Sequence, residues 1–114
     1  MDTDTAKRDS ARQIALETAR RMADETVPVI EGCRTLVRLR SDAEIPRSEA
    51  FRVIVGVESE TDDYPLGSQR AGYAPEFLER LDNEVSAYLN EVWPAVVEAC
   101  REIIREIEAL QLQP

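Results

Sequence analysis

Apolar positions along this chain recur mostly at spacings of three and four, broken by a few polar or Pro-bearing stretches. That spacing predicts helices joined by short connections. Over residues 6–25, Ala11, Ile14, Ala15, Thr18, Ala19 and Met22 share one face, and Glu17 and Arg21 are set for an (i, i+4) pair outside it. Thr26 and Pro28 read as the cap and first turn of a second helix. Its stripe is Val29, Ile30, Cys33, Leu36 and Val37, ending near Arg40. Gly32 sits inside that helix at a cost of about 1 kcal/mol relative to alanine; a close helix crossing would explain it. Residues 41–46 read as a connection, with Ser41 and Glu44 in capping-box register.

Two templates compete over residues 48–58. Val53, Ile54, Val55 and Val57 favour a strand, while Ala50, Phe51, Ile54, Val55 and Glu58 fit a helical face. The chain offers no second strand to pair with, and a lone strand leaves its backbone groups unsatisfied. The segment is therefore read as a helix. From Pro75 onward the stripe Leu78, Leu81, Val85, Tyr88, Leu89, Val92, Val96, Cys100, Ile103, Ile107 and Leu110 predicts one long helix. Pro94 inside it removes a backbone hydrogen bond, so a kink is expected near residues 90–94. The expected fold is all-α: a small four-helix bundle in a single domain (1–114), with residues 1–5 disordered and an ordered polar loop over 59–74.

That loop is the feature with no packing explanation. Glu58, Glu60, Asp62 and Asp63 place four acids within six positions, ahead of Tyr64, Pro65, Gly67, Arg70 and Tyr73. A long polar loop in a small domain is a working surface or a tether. An extended segment would present Glu58, Glu60 and Asp62 to one side. The loop-organising residues are expected to be Ser59, Asp62, Pro65, Gly67 and Arg70, with Arg70 folding back onto the loop carboxylates. The partner-binding residues are expected to be Glu58, Glu60, Asp62, Asp63, Tyr64 and Tyr73.

Charge sharpens this. The net charge is -9, and residues 53–114 hold thirteen acids against Arg70, Arg80, Arg101 and Arg105. Such a surface repels phosphate backbones and attracts a basic protein, so no nucleic-acid partner is expected. The plainer reading is that the acidity serves solubility alone. No run of apolar residues is long enough for a membrane span, and the polar start carries no secretory signal. Cys33 and Cys100 read as buried hydrophobes in a reducing, cytoplasmic setting, whether or not they meet.

The chain contains no histidine. The commonest general base, the Ser–His and Cys–His nucleophile systems and the usual zinc sets are therefore missing. Oxygen ligands for a hard cation exist in the acidic loop, but its spacing fails the calcium-loop pattern. Glu79 and Asp82 form one ExxD with no partner motif. No catalytic residue, metal or cofactor is assigned.

Ser59-Glu60-Thr61-Asp62, then Pro65-Leu66-Gly67, Arg70 and Pro75-Glu76, together with Val29-Ile30-Glu31-Gly32, Arg34 and Leu36, resemble a group of small uncharacterised bacterial helical proteins with a SETD…PxG…R signature. Tyr73 stands where that group is expected to carry tryptophan. The resemblance spans residues 26–105 and implies a compact helical fold and no established activity. The expected function is non-catalytic protein binding, in concrete form an immunity-type inhibitor of a basic bacterial toxin or effector. The alternatives are a divalent-metal-dependent helical hydrolase and a structural homodimer.

Overall fold

A computed structural model describes residues 2–113. Four α-helices follow one another: α1 (Thr3–Ala23), α2 (Val29–Ala43), α3 (Glu49–Glu60) and α4 (Pro75–Gln111). A 3-10 helix, Gly67–Gly72, lies between the last two, and no strand occurs among the described residues. The stretch where strand and helix compete is thus helical, as the want of a ladder partner requires. No described helix is long and apolar enough to cross a membrane.

Each helix packs on the next, and α1 closes the ring against α4. The core is mainly aliphatic around one aromatic, Phe51: Ala15, Leu16, Ala19 and Met22 from α1, Cys33 and Leu36 from α2, Phe51, Ile54 and Val57 from α3, and Val96, Cys100, Ile103 and Ile107 from α4. Gly32 stands against Met22. A Cβ at Gly32 would lie 2.4 Å from Met22 Sδ and 2.6 Å from its Cγ, so the missing side chain lets α1 and α2 approach. Cys33 and Cys100 are free thiols, and burial raises them to about 12 and about 11 respectively.

Helix ends differ from the sequence reading in four places. First, α1 starts at Thr3 because Asp2 Oδ1 accepts from Thr5 N at 2.7 Å, which also lowers the Asp2 pKa. Of the five residues expected to be disordered, 3–5 therefore form its first turn, and Met1 lies outside the described residues. Second, Thr26 does not start α2. Its N–H and hydroxyl both donate to Arg21 O, closing α1, and the N-cap of α2 is Pro28. Third, α2 runs on to Ala43, so Ser41 and Glu44 close a helix and open none. Glu25 (φ 60°) and Glu44 (φ 55°) occupy the left-handed position after α1 and α2, each inside a paired 6→1 and 5→2 hydrogen-bond motif. Fourth, the cap of α3 is Ser48, whose Oγ accepts from Phe51 N and donates to Glu106 Oε1 of α4.

Three arginines finish the chain reversals from the side. Arg12 is almost fully buried, and its Nε donates to Ala43 O at 2.8 Å. Arg40 donates to Ile45 O, and Arg34 Nη2 donates to Thr61 O at 2.8 Å and Tyr64 O at 2.9 Å. Helix C-termini leave carbonyls without partners, and a guanidinium offers several donors at once.

The length of α4 shapes the molecule. Its 37 residues run unbroken through Pro94, a span of about 55 Å, matching a molecular long axis of 53 Å. The radius of gyration is 15.5 Å, above the roughly 13 Å of a compact chain this long. All the buried residues of α4 lie between Val96 and Ile107. Tyr88, Leu89, Val92 and Trp93 pack half-buried against the core's edge, and the turns before them extend beyond it.

Candidate protein-docking face

The loop is organised by contacts other than those its composition suggests. Glu58 and Glu60 belong to the last turn of α3, about 200° apart around the axis. They therefore do not share a side with Asp62 as an extended segment would require. Glu58 is half-buried and Glu60 is exposed. Ser59 is exposed on α3, and the buried residue at the end of that helix is Thr61, whose Oγ1 donates to Val57 O at 2.7 Å. Asp62 and Asp63 are exposed in the following turn. The turn is held by Arg34 of α2, which reaches its backbone carbonyls. Pro65 is buried, and Gly67 opens the 3-10 helix at φ +56°, where any Cβ would be strained.

Arg70 does not fold onto the loop acids. Its Nη2 donates to Asp82 Oδ2 of α4 at 2.7 Å, and Nη1 donates to the Tyr64 hydroxyl at 3.2 Å. The Tyr64 hydroxyl in turn donates to Asp82 Oδ1 at 2.6 Å, and the guanidinium carbon lies 5.7 Å from the Tyr64 ring centre. The carboxylate of Asp82 thus ties both ends of the loop to α4. The bond from Arg70, then that from Tyr64, holds the Asp82 carboxyl below its usual range, while the bond to Asp82 raises the Tyr64 phenol. Composition hid this clasp because Asp82 sits twelve residues beyond Arg70, inside what reads as an ordinary polar helix face.

The sign of each shift sets two pH windows. Asp82 contributes stability that is present above the unfolded carboxylate value of about 3.9 and is lost as pH falls through its lower folded value. Tyr64 contributes stability present below about 10 and lost as pH rises through its raised folded value. Asp82→Asn should lower the Tyr64 phenol toward its free value, read by NMR titration of the ring. It should also speed thermolysin cleavage within residues 61–74 several-fold with helix content unchanged. A Tyr64 titration identical to wild type would remove the clasp.

The other predicted aromatic, Tyr73, lies just before α4 and meets Phe77 in its first turn. Tyr73 and Phe77 stack at 5.5 Å between ring centres, 46% and 40% exposed. Leu78, Leu81, Val85, Leu89, Val92 and Trp93 continue the core stripe but are only half-buried. Beside them runs a groove made of two adjoining clefts, of about 330 and 250 Å³, which share Pro28, Val29 and Leu89. It leads from Tyr64, Arg70 and Val85 at one end to Asn90 and Trp93 at the other.

Glu31 lines this groove, and its Oε2 is shut off from solvent without a hydrogen-bond partner. It stands at the third position of α2, where a glutamate ordinarily reaches back to the N-cap N–H. Here the N-cap is Pro28, which has no N–H to give. Sequence reasoning missed Glu31, although a proline three residues before a glutamate at a helix start was the available signal. Glu76, Glu79, Glu84 and Glu91 are exposed on the same half of α4, against Arg80 alone among its bases apart from the loop's paired Arg70. No group of three or more Cys, Asp or Glu among the described residues is arranged to hold a metal ion. Comparison with protein-family models, curated proteins and solved structures gives no match.

Proposed function

We propose that this protein is a non-catalytic binding module that receives a basic, amphipathic segment of another protein along the first half of α4. The observation that carries this reading is the stripe of α4 running on past the core with Leu78, Leu81 and Val85 only half-covered, beside a groove that holds an unpaired carboxylate oxygen. An apolar strip edged by charge is a helix-in-groove surface, read by a few apolar anchors. Acids along its border favour lysine and arginine on the partner and steer association. Two copies of the chain would bring Glu84 and Glu91 toward like charges, so a foreign basic partner fits better than a second copy. Inhibition of a basic toxin or effector is the biological form this reading takes.

The test uses a leucine–lysine amphipathic helix of about four turns and its leucine–glutamate counterpart. The lysine peptide is expected to bind one to one with a Kd of about 10 µM, weakening as salt rises. The glutamate peptide should not bind. Val85→Arg should abolish binding while leaving the unfolding midpoint close to wild type, since Val85 lines the groove but is not among the residues packed on the core. Equal binding of both peptides, or undiminished binding to Val85→Arg, would overturn the proposal.

A further inference from the structure

A larger cleft lies elsewhere, between α2 and α3, and its lining differs from the rest of this acidic surface. It measures about 470 Å³ and is walled by Val37, Phe51 and Val55 with Arg40, Arg47 and Arg52. None of its lining residues borders the groove beside α4. No carboxylate lines it. We propose that this cleft binds a small organic anion: a carboxylate or phosphate monoester carried on a compact apolar body.

Each arginine stands differently. Arg40 is held in place because its Nη1 donates to Ile45 O at 3.0 Å, which leaves its other nitrogens free. Arg52 meets Glu49 at 3.5 Å, but both ends of that pair are exposed, and such a pair adds little. Arg47 makes no hydrogen bond or ion pair among the described residues. Three guanidiniums thus share one cleft with one weak counter-charge between them. A planar carboxylate or a phosphate offers the paired acceptors that a guanidinium fork matches.

The apolar part of the cleft sets the rest of the ligand. Val55 is 41% exposed, on a helix whose other large apolar residues are mostly covered. An inorganic anion would leave that surface wet, whereas an aryl or short alkyl body would cover it. Pockets of this size and mixed lining are typical small-molecule sites. The positive potential acts only at short range, because salt screens it beyond about 8 Å and the whole chain is negative. The cleft should therefore discriminate among ligands that enter it and attract few from afar.

The experiment follows backbone amide shifts of the full chain during titration with phenyl phosphate and with benzoate. Inorganic phosphate and benzyl alcohol serve as controls for the head group and the body. Saturable shifts within residues 37–55 are expected for at least one aryl anion, with a Kd of about 1 mM or tighter. Whichever aryl anion binds more tightly identifies the head group. Both controls should bind at least about tenfold more weakly. Arg47→Gln should weaken the preferred anion about tenfold, and because Arg47 holds nothing in the fold, the unfolding midpoint should not move. Aryl anions that bind no better than the controls, shifts that map to the groove beside α4, or Arg47→Gln at wild-type affinity would each overturn the proposal.

Discussion

Arg12→Ala is expected to lower the unfolding free energy by about 3 kcal/mol, combining a lost packed stem with a lost hydrogen bond to a buried carbonyl. Arg12 reaches from α1 to the last residue of α2, where Ala43 is fully buried. Its side chain is only 9% exposed, and Glu44 stands 3.8 Å from the guanidinium as a loose counter-ion. Burying that charge is costly, so replacement by an apolar residue regains some solvation free energy. The decisive loss is the partner of Ala43 O, because an orphaned buried acceptor costs about 1–3 kcal/mol. Arg12→Met separates the two effects by keeping an apolar stem and removing the donor. It should cost about 1–2 kcal/mol on the same principle, read from urea unfolding with an unchanged slope. If Arg12→Met matched wild type, the carbonyl would be finding water, and Arg12 would matter only as a spacer.

The helices were legible because their signal is periodic and local. The stripe from Leu78 to Ile107 reads at a glance, and the want of a strand partner decided residues 48–58. The connections were less legible because their contacts are distant in sequence and go to backbone atoms. Nothing about Arg12, Arg34 or Arg40 in the sequence marks them as donors to Ala43, Thr61, Tyr64 and Ile45 carbonyls. An arginine on a helix reads as solvated surface until a neighbouring chain end is placed beside it. Thr26 and Ser41 misled for a related reason: a hydroxyl near a helix boundary serves either the helix ending or the one beginning, and the two look alike in one dimension.

The acidic loop shows the same limit for the site. Alternation of Glu58, Glu60 and Asp62 suggests a single carboxylate face only while the segment is extended. Once α3 continues to Glu60, the first two stand about 200° apart around the helix axis. Negative charge still gathers on this half of the chain, but its setting is the exposed length of α4 and not the loop alone. Tyr64 and Arg70 take their roles from Asp82, a residue singled out only for an unmatched ExxD. Tyr73 finds its partner in Phe77, which the stripe leaves on the outside.

Gly32→Ala is the second large effect, and its sign is the informative part. On an exposed helix the change would add about 1 kcal/mol of stability through helix propensity. Here the new Cβ would fall 2.4 Å from Met22 Sδ, a distance that packed atoms do not occupy. Methionine can bend away only if space exists, and Met22 has no exposure at all. Overpacking of a tight core costs about 1–3 kcal/mol, so the net result should be destabilisation by about 1 kcal/mol once propensity is subtracted. The double-mutant cycle with Met22→Ala isolates the cause. Met22→Ala alone should cost about 2–5 kcal/mol by opening a cavity. In that background the clash is gone, and Gly32→Ala should become neutral or stabilising. The coupling between the two sites should therefore reach about 1–2 kcal/mol, within the range for residues in contact. If Gly32→Ala destabilised both backgrounds equally, the glycine would be required by the backbone of α2 and not by the approach of α1.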